Sequence, residues 1–161
     1  MQEALANAQI SSDKGVITPG FALDGVIEQT KAIIAVHLFG QCAPMEALMD
    51  LANAHQLLVI EDTAQAIGAK YTFSDGRTSF AGTMGDIGTL SFFPSKNLGC
   101  YGDGGAVLTR SETLAERLKM IRNHGQKVKY THEIIGINSR LDTLQAAILD
   151  VKLKHLDSFT A

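Results

Sequence analysis

At 161 residues, with 45% hydrophobic residues, the chain has the length and apolar content of one globular domain, which excludes an intrinsically disordered tail. The formal net charge of −3, with 14 Lys and Arg scattered among 17 Asp and Glu, leaves no basic field, so no nucleic-acid partner is expected. No apolar run approaches the ~20 residues that span a bilayer, and the first residues lack a basic stretch followed by an apolar one; a cytoplasmic protein with no membrane partner is expected.

Residues 1–15 carry no clear periodicity and are read as loop or frayed helix. Residues 31–39, Lys-Ala-Ile-Ile-Ala-Val-His-Leu-Phe, form the near-continuous apolar run of a strand covered on both faces, as in a parallel sheet. Pro44 suits the first helical position, and Met45, Leu48 and Ala52 follow at i, i+3 and i+7, so a helix is predicted up to about His55. Residues 57–60 predict a second buried strand. Strand, helix, strand is a crossover unit, which joins parallel strands. Residues 66–88 are rich in Gly, Ser and Thr and predict turns with one weak strand near residues 70–73. Residues 89–93 predict a third buried strand, stopped by Pro94, and Gly99, Gly102, Gly104 and Gly105 predict a flexible turn before a fourth strand at 106–109. A helix over 111–124 follows, with Leu114, Leu118 and Ile121 on one face and Gly125 placed to end it. Ser139 and Asp142 predict a capping-box-like start to a last helix, whose Leu141, Leu144, Ile148 and Val151 are helically spaced. Met45, Met49 and the Phe residues are read as core. The whole is one α/β layer, a single partial domain over residues 1–161 that belongs to a larger domain.

Four residues carry candidate chemistry. Asp62 stands where an apolar strand ends, and open α/β sheets hold ligands beyond the carboxyl ends of their strands. A carboxylate there suits a protonated ring nitrogen, although a helix cap or surface acid is the commoner use of such a residue. Gln65, three positions on, is placed to face the same ligand. Lys96 follows a buried strand ended by Pro94, and a lysine held partly away from water serves as a nucleophile and proton shuttle. Ser91, five residues earlier, has the short hydroxyl that donates to a phosphate oxygen or satisfies a backbone group. Each signal alone is weak. Their order, followed by a Gly-Asp-Gly-Gly turn, is stronger. His37, in the apolar strand, reads as a satisfied core histidine; Cys42 and Cys100 lie outside any CxxC, so neither a zinc nor a redox site has support.

The runs Glu61-Asp62-Thr63-Ala64-Gln65-Ala66, Gly85-Asp86-Ile87-Gly88, Ser91-Phe92-Phe93-Pro94-Ser95-Lys96-Asn97 and Gly102-Asp103-Gly104-Gly105-Ala106 closely resemble those of the DegT/DnrJ/EryC1/StrS sugar-nucleotide aminotransferases. The resemblance covers about residues 33–156. It implies part of the large domain of a fold-type I pyridoxal phosphate enzyme, with a mostly parallel sheet flanked by helices, and a homodimer with shared active sites. It implies Lys96 as the Schiff-base lysine, Asp62 on the pyridine nitrogen, Gln65 on the phenolic oxygen, Ala64 against the ring face and Ser91 on the phosphate. Gly136-Ile137-Asn138-Ser139-Arg140 resembles the stretch in which the family's Asn reaches the phosphate of the neighbouring subunit, which makes Asn138 a cofactor candidate; a turn Asn before a helix is the plain alternative. Family members are longer, with an N-terminal phosphate cup and a small C-terminal domain, neither of which is seen in this sequence. The function implied is transfer of an amino group from glutamate to a nucleotide-linked keto sugar, the Phe93 wording being closer to enzymes of 3-keto than of 4-keto sugars. The competing reading is a catalytically incompetent or regulatory homologue that keeps only the sheet. A nicotinamide-dependent dehydrogenase lacks its GxGxxG.

Overall fold

The computed structural model describes residues 30–160, together with strand backbone at residues 8–12 and 15–17. A six-stranded sheet has the order β2-β1-β3-β4-β7-β8, made of β1 (Ala8–Ser12), β2 (Gly15–Ile17), β3 (Thr30–Val36), β4 (Leu58–Asp62), β7 (Ile87–Ser91) and β8 (Gly105–Leu108). Its centre is parallel: Val36 aligns with Asp62 and Asp62 with Thr89. The pairs β2/β1, β1/β3 and β7/β8 are antiparallel, so four of the six strands, all but β1 and β8, run in one direction. The mostly parallel α/β sheet expected from the sequence is therefore present.

The crossover unit forms as its periodicity dictates. Helix α1 (Met45–His55) buries Met45, Leu48 and Ala52 against Ile33, Ala35 and Val59, each burial of a large apolar side chain contributing about 1.5–3 kcal/mol. Along β4 the alternation of a strand puts Val59 and Glu61 on this buried face and Ile60 and Asp62 on the other. The opposite face of β3 is only half covered among the described residues, whereas its apolar run predicts burial on both sides. A second core joins Phe92, Leu98 and Cys100 to Leu149 of α3 (Thr143–Leu153), with Leu90, Ala106 and Leu156 packed around them.

Some expectations are corrected, while the strand near residue 70 and the helix ended by Gly125 are present. Residues 8–12 and 15 belong to β1 and β2, not to loop or frayed helix, because a short edge ladder needs backbone pairing and little apolar periodicity; residues 1–7, 13 and 14 lie outside the described residues. The weak strand near residue 70 is one arm of a hairpin, β5 (Lys70–Thr72) with β6 (Thr78–Phe80), closed through an Asp75 carboxylate that accepts from the Arg77 N–H at 2.9 Å. Helix α2 (Glu112–Arg122) is capped by Ser111, whose Oγ accepts from the Leu114 N–H, and Gly125 ends it in a left-handed conformation, φ 75°. The polar stretch beyond holds a small hairpin, β9 (Gln126–Val128) with β10 (Thr131–His132). Asp142, not Ser139, sits at the start of α3, and it makes no side-chain cap bond; a short α4 (Leu156–Thr160) follows. Leu144 and Val151 are exposed, and of the Phe residues described only Phe92 is buried; Phe39, Phe80, Phe93 and Phe159 face outward.

Candidate functional site

Three parallel strand ends meet at one edge of the sheet, and backbone hydrogen bonds past the ladder hold them in register. The His37 N–H donates to the Asp62 carbonyl at 2.9 Å, the Thr63 N–H to the Thr89 carbonyl at 2.9 Å and the Gly40 N–H to the Gln65 carbonyl at 2.9 Å. Asp62 ends β4 half-buried. One of its carboxylate oxygens, Oδ1, accepts the Ala64 N–H at 3.0 Å in a local turn, which fixes the carboxylate and leaves Oδ2 without a partner among the described residues. Ala64 is half-buried beside it and Gln65 is exposed at the same rim.

Ser91 ends β7, two residues beyond the position aligned with Asp62. Its Oγ accepts from the Phe93 N–H at 3.3 Å, so the hydroxyl hydrogen remains to be given to a ligand. Lys96 stands in the tight turn that follows, its N–H donating to the Phe93 carbonyl at 2.9 Å and its side chain half-buried without a partner among the described residues. The turn is closed from below by Cys100. This fully buried residue donates its N–H at 2.8 Å and its Sγ–H at 3.0 Å to the Phe92 carbonyl, and the Lys152 amine reaches the Gly99 carbonyl from α3.

The geometry thus brings Asp62, Ala64, Gln65, Ser91 and the Lys96 turn to one edge. Asn138 is not hydrogen-bonded to them. It pairs with Asn123 at the end of α2, and its Oδ1 accepts from the Arg140 Nε–H at 3.0 Å. His124 and His132 are exposed, the latter donating from Nδ1 to the His124 carbonyl at 2.7 Å. A cleft of about 770 Å³ between β7, β8 and α2, lined by Leu90, Val107, Leu118, Ile121 and Leu141, touches none of these candidates and is mostly apolar. No helix of the described residues is long and apolar enough to cross a membrane.

A free carboxylate oxygen, an unpaired amine and a hydroxyl at the carboxyl ends of adjacent parallel strands form the donor set that pyridoxal phosphate requires, so the residues present fit that group. The model of the DegT/DnrJ/EryC1/StrS aminotransferase family matches residues 6–161. The chain belongs to the DegT/DnrJ/EryC1/StrS aminotransferase family. It is 55% identical over 144 residues to the "Pleiotropic regulatory protein" of Geobacillus stearothermophilus, covering 89% of this chain and 37% of that protein. It is 48% identical to the dTDP-3-amino-3,4,6-trideoxy-alpha-D-glucose transaminase of Streptomyces venezuelae, covering 91% of this chain and 38% of that one. The solved structure of S. venezuelae DesV in complex with a ketimine intermediate superposes with a TM-score of 0.73 at 53% identity, over 81% of this chain and 34% of DesV. The chain spans a little over a third of the length of these DegT/DnrJ/EryC1/StrS relatives.

Sequence reasoning left unassigned one polar cluster on the α1 face of the sheet. Glu61, fully buried, accepts from His37 Nε2 at 2.9 Å, Gly82 N at 2.8 Å, Met84 N at 2.7 Å and Gly85 N at 2.7 Å. The signal in the sequence is an acid inside an apolar strand, partnered by a histidine inside its neighbour. Burial pushes the Glu61 carboxyl upward, but the hydrogen bonds from His37, Gly85, Gly82 and Met84 outweigh it and hold the group below the usual carboxylate range. With a folded pKa below the unfolded one of about 4.3, this stabilisation is present above that value and is lost as the pH falls through the folded pKa. Urea unfolding across a pH series is therefore expected to show a loss of stability on acidification that Glu61→Gln, weaker at neutral pH, largely lacks; an identical pH dependence in both proteins would refute it. The Cys42 thiol is pushed up by burial and, secondarily, by the Glu61 charge.

Proposed function

We propose that this chain is the central part of the cofactor-binding large domain of an aminotransferase that moves an amino group from glutamate to a nucleotide-linked 3-keto sugar. The observation that carries the reading is the half-buried, unpaired Lys96 at the strand edge that also presents the free oxygen of Asp62. Membership of the family supports it, as does a relative named for a 3-amino sugar at 48% identity.

Pyridoxal phosphate, when bound, supplies an aldehyde that holds amines and a ring that withdraws electrons from the adjoining carbon. Lys96 would be the nucleophile that holds the aldehyde in the resting protein and, once released, the base that carries a proton from the amine-bearing carbon to the former aldehyde carbon on the other side of the nitrogen. Asp62, its orientation set by the Ala64 N–H, would keep a proton on the pyridine nitrogen through a charge-assisted hydrogen bond. Gln65 would donate to the phenolic oxygen, Ser91 would donate to the phosphate, and Ala64 would pack on the ring. Asn138, which is bridged to Asn123 and makes no hydrogen bond to the other five, would serve the cofactor phosphate of the other subunit in a homodimer.

The deciding experiment supplies the whole polypeptide that contains this chain with glutamate and with 3-keto and 4-keto sugar nucleotides, and measures 2-oxoglutarate and amino sugar. Turnover on the 3-keto sugar is expected. Turnover on the 4-keto sugar alone would overturn the substrate assignment, and failure with both would overturn the reading. The name of the G. stearothermophilus relative favours a second reading, a regulatory homologue without turnover; the intact set of Lys96, Asp62 and Ser91 weighs against it.

The shared site has its own test. Mixing Asn138→Ala with Lys96→Ala subunits is expected to restore activity, because one site of each heterodimer then receives a native lysine and a native Asn138. No recovery would mean that Asn138 serves its own chain.

A further inference from the structure

We infer that Glu61 and His37 form a positioning pair that fixes the carboxyl ends of β3 and β4 against the loop entering β7 and thereby sets where Asp62 stands relative to Ser91 and the Lys96 turn. The inference rests on the proposed cofactor site.

Both side chains are fully buried, on the sheet face opposite Asp62. The four donors to Glu61 fall two to each oxygen, His37 and Gly82 on Oε2 and Met84 and Gly85 on Oε1, which fills the lone pairs of a carboxylate. The Ala43 N–H donates to His37 Nδ1 at 3.0 Å, so the ring hydrogen is on Nε2 and points at Glu61. One carboxylate therefore ties together three segments: the loop leaving β3, the residue before Asp62, and the loop at 82–85 that runs into β7 and on to Ser91 and Lys96. Asp86 repeats the fastening one step back. Its Oδ2 accepts the Val59 N–H at 2.8 Å while its own N–H donates to the Val59 carbonyl at 2.9 Å.

Stability alone does not call for this arrangement. A well-packed apolar residue in place of a buried ionic network is often neutral or stabilising, because the desolvation of the ion is then avoided. What a carboxylate adds here is direction, since four N–H groups from separate segments converge on two fixed oxygens. Displacement of a reacting group by about 1 Å costs on the order of 10²-fold in rate, so strand ends that carry the base and its partner gain from such a tether.

Three variants of the whole, cofactor-loaded protein test the pair. Glu61→Gln turns one acceptor oxygen into a donor facing other donors, and is expected to lower kcat per bound cofactor by about 10²-fold while KM for the sugar nucleotide changes little. Amide hydrogen exchange at Gly82, Met84 and Gly85 should quicken, with that of α1 unchanged. His37→Gln keeps an N–H near the Nε2 position and should retain most of the turnover; His37→Asn keeps only the acceptor for Ala43 and should lose about tenfold or more. Wild-type turnover per bound cofactor in Glu61→Gln, with only the melting temperature lowered, would overturn the inference. Should that variant fail to fold, equal turnover in the two His37 variants overturns it instead. If the unsubstituted protein neither takes up cofactor nor turns over, the functional reading itself has failed, an outcome distinct from an active parent with indifferent variants.

Discussion

Lys96→Ala in the whole polypeptide is expected to abolish covalent cofactor attachment and to lower transamination by roughly 10⁴- to 10⁶-fold, the scale on which loss of a catalytic nucleophile is felt. The fold should survive the change. The Lys96 side chain has no partner among the described residues, and the bond that shapes its turn comes from the backbone N–H to the Phe93 carbonyl. Borohydride reduction followed by peptide mass analysis reads the attachment directly: the parent protein should carry the cofactor on the peptide containing Lys96, and the variant should carry none. Circular dichroism of the two proteins should coincide. A variant that still turned over keto sugar at the ordinary rate would remove Lys96 from the chemistry.

Gly88→Ala should unfold the protein or come close to it, at a cost of roughly 3–5 kcal/mol. A Cβ at this position would lie 2.1 Å from the Gly82 carbonyl oxygen, and the obstacle is backbone, so no rotamer change relieves it. Gly82 cannot retreat freely, because its N–H is held by the buried Glu61 carboxylate. Gly88 is itself paired across the sheet with Glu61 and Leu108, so the strand cannot shift without breaking two ladders. Stabilities of whole domains are only about 5–15 kcal/mol, which makes this loss decisive. Urea unfolding midpoints measure it, and a midpoint shifted by less than that expected for 1 kcal/mol would show that the loop at 82–85 yields more easily than its bonds suggest.

The central sheet was legible because β3 and β4 are continuous apolar runs joined by a helix whose period is unmistakable, and that pattern admits few topologies. The placement of Asp62 and Lys96 was legible for a related reason: Asp62 closes a strand and Lys96 lies in the turn after one, and the apolar run and Pro94 mark both ends. The second arm of the hairpin at 70–80, the hairpin at 126–132 and the short strands at 8–12 and 15–17 were not, since two- to five-residue ladders are held by backbone pairing and leave almost no side-chain period. The start of α3 was misplaced for a different reason. Ser139 offers a capping hydroxyl, but its N–H is drawn to the Arg122 carbonyl, and the helix begins only after Asp142. The Glu61 cluster escaped because its four donors are contributed by segments more than 20 residues away, a convergence that no local spacing encodes.

The sealed thiol beneath the lysine turn offers a clock for that turn. Cys100 is wholly enclosed while its hydrogen bonds to the Phe92 and Gly102 carbonyls are made, so a thiol reagent reaches it only when the turn opens. In a Cys42→Ser background, the ratio of the labelling rate of Cys100 to that of a free thiol gives the fraction of time spent open, in the way that exposed amides report local unfolding. Cofactor added to the protein should lower that ratio, and the size of the decrease reports how far ligand binding quiets the segment that carries Lys96.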